Sequence, residues 1–98
     1  MANICENTFY AYSENKENLD FIAKFLNDNF KADVSIDGEY IDAYFDSKWT
    51  FPEELMNEMF EGLPDKNDIY MRCLSVEYGC DYVAYHKCED ETGWYDAL

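Results

Sequence analysis

An α+β sandwich, with two helices on one face of an antiparallel sheet, is the fold that this sequence predicts. Three observations lead there. Apolar residues recur with period two in "ICENTFYAY" and "YIDAYFD". They recur at helical spacing from Leu19 to Phe30 and from Leu55 to Phe60, and the two kinds of segment alternate along the chain. At 98 residues, 48% hydrophobic and 18% aromatic, the chain suits one domain (1–98) with a modest core and is too apolar for a disordered acidic segment.

The elements follow in order. From Ile4 to Tyr12, Cys5, Asn7, Phe9 and Ala11 take one side of a strand, and Glu6, Thr8, Tyr10 and Tyr12 the other. Ser13 is placed to cap a helix whose stripe is Leu19, Ile22, Ala23, Leu26 and Phe30. "DVSIDGEYIDAYFD" reads as a hairpin turning at Asp37-Gly38, a pair suited to positive φ. That turn pairs Ile36 with Glu39 and Val34 with Ile41, and sets Asp33 opposite Asp42, a like-charge pair that costs stability. Tyr40, Asp42, Tyr44 and Asp46 then line the outward side, and Ile41, Ala43 and Phe45 the inward side.

The "WTFP" step, Trp49 to Pro52, is a strand-to-helix corner, with Trp49 and Phe51 expected as plugs beneath the loop. Glu53 and Glu54 suit the positive end of the next helix dipole, and Gly62 with Pro64 marks its stop. Ile69 to Tyr78 and Asp81 to Cys88 form a second hairpin, turning at either Tyr78-Gly79 or Gly79-Cys80. Met71 and Cys73 against Leu74 and Val76 make both faces of its first strand apolar, as inside a sheet. From about Glu89 an acidic tail follows, with Trp94 and Tyr95 available to fold back. The order βαββαββ is that of a ferredoxin-like sandwich with an added strand. Its uncovered sheet face carries the outward tyrosines and aspartates.

Charge is the strongest global property: 22 acidic residues against 7 Lys and Arg, a net −15. Phosphate backbones and anionic membranes repel such a chain, which speaks against direct nucleic-acid or membrane binding. Solubility alone is the bland explanation. The excess is regional, however: residues 32–65 hold ten acids and one base, Lys48. No basic-then-apolar leader or membrane-length apolar run is present, so a cytoplasmic location is expected. In that compartment Cys5, Cys73, Cys80 and Cys88 are expected as free thiols, although four cysteines allow three disulfide connectivities.

"NICENTFYAYS", "YFDSKWTFPEELM" and "VEYGCDYVAY", in this order, resemble the YubB-type ferredoxin-like domain family, small proteins of phages, plasmids and other mobile elements. The matching positions are Asn3, Cys5 and Asn7; Phe45, Ser47, Lys48, Trp49 and Pro52; and Glu77, Gly79, Cys80, Asp81 and Tyr82. The resemblance implies the fold and a mobile-element origin, and it transfers no catalytic residue.

No residue pattern names a reaction. His86 lies two residues before Cys88, and one hairpin register seats it opposite Cys73, but the CxxC spacings of a zinc site are absent. Buried structural thiols beside a satisfied histidine are expected. Asp33, Ser35, Asp37 and Gly38 imitate the start of a calcium loop, yet Tyr44 stands where the bidentate Glu belongs. Neither catalytic residue, metal nor cofactor is assigned. Nine tyrosines interleaved with acids do suit a recognition surface, since tyrosine contributes large area at small entropic cost.

Tyr40, Asp42, Tyr44, Asp46, Asp33, Glu6, Tyr10 and Tyr12 are therefore the candidate partner-binding residues. The expected role is that of a small acidic phage protein inhibiting a host defence nuclease (anti-CRISPR-like or anti-restriction) by occupying its basic nucleic-acid groove. The alternative is a non-catalytic interaction module of a mobile element, open to homodimer formation. An enzyme using Cys73, His86 and Cys88 ranks third.

Overall fold

The computed structural model describes residues 3–79 and 81–98, so the expected thiol of Cys80 lies outside the described residues. The chain runs β1 (Ile4–Tyr12), α1 (Lys16–Phe30), β2 (Asp33–Asp37), β3 (Tyr40–Lys48), α2 (Glu53–Gly62), β4 (Tyr70–Glu77), β5 (Tyr82–Glu89) and β6 (Trp94–Asp96). The fold is α+β: a six-stranded antiparallel sheet in the order β2-β3-β1-β4-β5-β6, with two helices. The expected βαββαββ order is not matched, because a 3-10 turn (Asp90–Thr92) returns the chain to add β6 beside β5. Three residues are too few to display a period of two, which is why that stretch resembled a tail.

Alternation decides what each strand buries. Cys5, Asn7, Phe9 and Ala11 of β1, Ile41, Ala43 and Phe45 of β3, and Met71 and Cys73 of β4 are buried. The apolar members of this set meet Leu19, Ile22 and Leu26 of α1 and Met56, Met59 and Phe60 of α2 in one core. Both helices thus cover the same sheet face. Asn7, 2% exposed, is the polar exception. Its Nδ2 donates to the Phe45 carbonyl (3.2 Å) and to Ser47 Oγ (2.9 Å), and its Oδ1 accepts from Ser75 Oγ (2.7 Å). Three adjacent strands are joined by one amide.

Local details depart from expectation in four places. Asn15, not Ser13, caps α1, accepting from the Glu17 N–H at 2.9 Å. Ser13 is buried and instead donates to the Asp68 carbonyl at 2.7 Å, helping to tie the start of α1 to the loop before β4. The first hairpin turns at Gly38-Glu39, with Asp37 opposite Tyr40, Ile36 opposite Ile41 and Val34 opposite Ala43. Gly38 takes φ 62 as the first turn residue, which a type II′ turn requires. Asp33 consequently faces Tyr44, and Ser35 faces Asp42, so the expected Asp33–Asp42 opposition does not form.

The corner is the third departure. Phe51 is buried as expected, but Trp49 is 48% exposed, its backbone at φ 70. The left-handed conformation at Trp49 is unusual for a bulky residue. The tryptophan that seals the core there is Trp94, which packs on Phe9 and Phe51 and donates from Nε1 to the Met56 carbonyl at 3.0 Å. The fourth is the second hairpin. Its last pair is Glu77 with Tyr82, so pairing stops short of a two-residue turn at Tyr78-Gly79, and the Gly79-Cys80 alternative lies outside the described residues.

Candidate functional site: the uncovered sheet face

The face opposite the helices can be laid out in rows from the strand registers. Asp37, Tyr40, Tyr12, Tyr70 and Glu89 make one row from β2 to β5. Ser35, Asp42, Tyr10, Arg72, Lys87 and Tyr95 make the next, out to β6. Asp33, Tyr44, Thr8, Leu74 and Tyr85 follow, then Asp46, Glu6, Val76 and Val83. All eight candidate residues lie here. Tyr40, Asp42, Tyr44, Asp46, Asp33 and Glu6 are exposed, while Tyr10 and Tyr12 are half-buried among their neighbours.

Aromatic contact organises the upper rows. Tyr40 lies 5.3 Å from Tyr12 and 5.8 Å from Tyr10 between ring centroids, and Tyr10 meets Tyr70 edge-on at 6.2 Å. The Arg72 guanidinium stands 4.1 Å from the Tyr10 ring centre and 5.9 Å from that of Tyr70. Such contact stabilises the cation through the ring quadrupole. Hydrogen bonding to Glu39, with burial, pushes the Tyr12 phenol up to about 12, and burial raises that of Tyr10. These phenols therefore stay neutral, and the charge of the face resides in its carboxylates, Arg72 and Lys87.

The β4–β5 half of the face was not singled out in the sequence. Arg72, Lys87, Leu74 (42% exposed) and Val83 (56% exposed) complete a surface that is acidic along β2, β3 and Glu6, and cationic and apolar across β4 and β5 except for Glu89 at its end. A usable signal existed: Arg72 is the one arginine in the chain and sits at an outward position between Tyr70 and Leu74.

The Cys/His cluster has different chemistry. Cys73 pairs with His86 and Met71 with Cys88, the register that places thiol and imidazole side by side. Burial pushes both Cys73 and Cys88 up to about 12, which keeps them protonated and poor as nucleophiles or ligands. His86 stacks flat on Phe51 at 3.9 Å. Its Nδ1 is buried with no hydrogen-bond partner among the described residues, contrary to the satisfied histidine expected. No group of three or more His, Cys, Asp or Glu that could hold a metal ion occurs among the described residues.

At the corner, Thr50 to Leu55 line an open cleft of about 430 Å³. Glu53 and Glu54 bring carboxylates to the helix end that would otherwise attract anions. No helix of the described residues is long and apolar enough to cross a membrane. Comparison with family models, curated proteins and solved structures returned no match, so the geometry above carries the functional argument.

Proposed function

We propose that this chain is a non-catalytic binding protein whose acidic, tyrosine-rich sheet face occupies a basic nucleic-acid-binding surface on another protein. In its specific form it is a small phage or mobile-element inhibitor of a host defence nuclease, anti-CRISPR-like or anti-restriction, working in the host cytoplasm. The observation that carries this reading is the pair Glu6 and Asp46, directly opposite each other on β1 and β3. Like charges so placed destabilise a sheet, and solubility does not require that position. Asp42 and Asp46 stand four residues apart on one face of β3, about 13 Å, so that each can meet a different cation of a surface that normally holds phosphates.

The YubB-type and ferredoxin-like assignments belong to the same proposal. The ferredoxin-like part is supported by the order β2-β3-β1-β4 with two helices on one face, to which β5 and β6 are additions, and the YubB-type part rests on the sequence resemblance alone. The experiment combines Tyr40→Ala, Asp42→Asn, Tyr44→Ala and Asp46→Asn, then measures nuclease binding to nucleic acid with each protein as competitor. Wild type is expected to compete and to lose affinity steeply with salt. The quadruple variant, still folded by thermal melt, is expected to compete at least about tenfold less, as loss of even one aromatic anchor would bring. Equal competition by the two proteins rejects the proposal.

A further inference from the structure

The open face carries two like-charge pairs, not one. Glu6 is opposite Asp46, and Arg72 is opposite Lys87. In a chain with 22 acids and 7 bases, two of the bases face each other across β4 and β5, a placement that costs stability. No carboxylate lies within ion-pair distance of either, the sole ion pair among the described residues being Lys24–Asp28 at 2.9 Å. The acidic and basic pairs are separated by two strands and two rows, about 16 Å. That exceeds the screening length of about 10 Å in ordinary salt, so the pairs scarcely stabilise each other within one molecule.

Between them lies the apolar part of the face: Tyr44 (59% exposed), Leu74, Val76, Val83 and Tyr85. The two pairs and the apolar centre are self-complementary, and Asp42 and Glu89 are further acids of the face that such a contact leaves without a cation. A two-fold axis lying in the contact plane, oblique to the strands and passing between Thr8 and Leu74, exchanges the two charged corners. We propose that the uncovered face binds a second copy of this chain, Glu6 and Asp46 of each meeting Arg72 and Lys87 of the other around the apolar centre. Such an interface is isologous, as closed dimers are. Four strands of up to nine residues give a face on the order of 500 Å² in projection, toward the small end for a specific interface of about 800 Å² per partner. The dimer is accordingly reversible, and a basic target would compete with the second copy for the same acidic corner.

Each copy carries −15, so salt screens the overall repulsion along with the local attraction. Exchange of charge is the cleaner test. Glu6→Lys with Asp46→Lys changes the net charge from −15 to −11, which by itself would favour association. Sedimentation equilibrium is expected to show it monomeric where wild type dimerises, since four cations then meet at each corner. Arg72→Glu with Lys87→Glu is expected to be monomeric as well. Mixing the two variants should restore a heterodimer, because both corners then pair opposite charges. Should either double variant fail to melt cooperatively, Val83→Asp at its exposed site supplies the same readout, a loss of at least about tenfold in dimer affinity. A wild type that stays monomeric, a mixture that does not pair, or a Val83→Asp dimer as tight as wild type overturns the proposal. A monomer that still competes with nucleic acid would overturn the dimer and leave the inhibitor reading intact.

Discussion

Asn7, His86 and Trp49 show how single side chains fix this fold. Asn7→Ala removes the amide shared by β1, β3 and β4 and strands the partners of a buried network. A loss of roughly 1–3 kcal/mol in urea melts is expected, and a change below about 0.5 kcal/mol would show the network to be dispensable. Burial lowers the His86 pKa from its ordinary value near 6.5, against the opposing pull of Asp96 and Glu53. The folded state thus favours the neutral ring, and the unfolded chain takes up the proton first. The stabilising contribution is complete above about pH 6.5 and declines below it. Stability should fall between pH 7 and 5.5, and fall less in His86→Phe, which keeps a ring against Phe51. An equally steep decline in that variant would assign the effect to other groups. Trp49→Gly should melt close to the wild-type temperature, because relief of the positive φ, which glycine adopts without strain, offsets loss of the buried half of the ring.

At the scale of elements, the strongest dependence is on the last strand. Trp94→Ala should cost about 3–5 kcal/mol, as truncation of a packed aromatic does, and should open the Phe51 side of the core. A mere tail would lose almost nothing in the same melt. The sequence disclosed β1, α1, β3 and α2 because each has a long, unbroken period. It did not disclose register: moving the first hairpin by two residues keeps every side chain on its face, so the pattern Val34, Ile36, Ile41, Ala43 fits both turns equally. The φ preference of Gly38 does not separate them either, since Asp37-Gly38 and Gly38-Glu39 turns both satisfy it. The candidate site was legible in half. Polar alternation exposed the β1–β3 residues, whereas β4 and β5 are apolar on both faces and hid Arg72 and Lys87 among core-like neighbours.

For the whole molecule, stability and recognition make opposite demands on the same face. Asp46→Asn relieves the opposition to Glu6 and should leave the melting temperature unchanged or slightly raised, while weakening any contact the acidic corner makes. A lower melting temperature would mean that Asp46 serves the fold. The helix-covered face shows no such conflict: its thiols and methionines are buried, and its one shared amide is satisfied.

The order of the sheet also governs how the molecule assembles in time. β1 is central, and both of its neighbours come later in the chain: Cys5 pairs with Ser47, and Tyr12 with Tyr70. Its pairings close loops that run from Tyr12–Tyr40 to Glu6–Val76, roughly thirty to seventy residues, a large entropic toll before any long-range pairing is gained. The two hairpins can form first and locally, leaving a partly built sheet with its middle strand missing. Folding is therefore expected in the millisecond-to-second range typical of such topologies, with Val34→Ala slowing it more than Phe9→Ala does relative to the stability each loses.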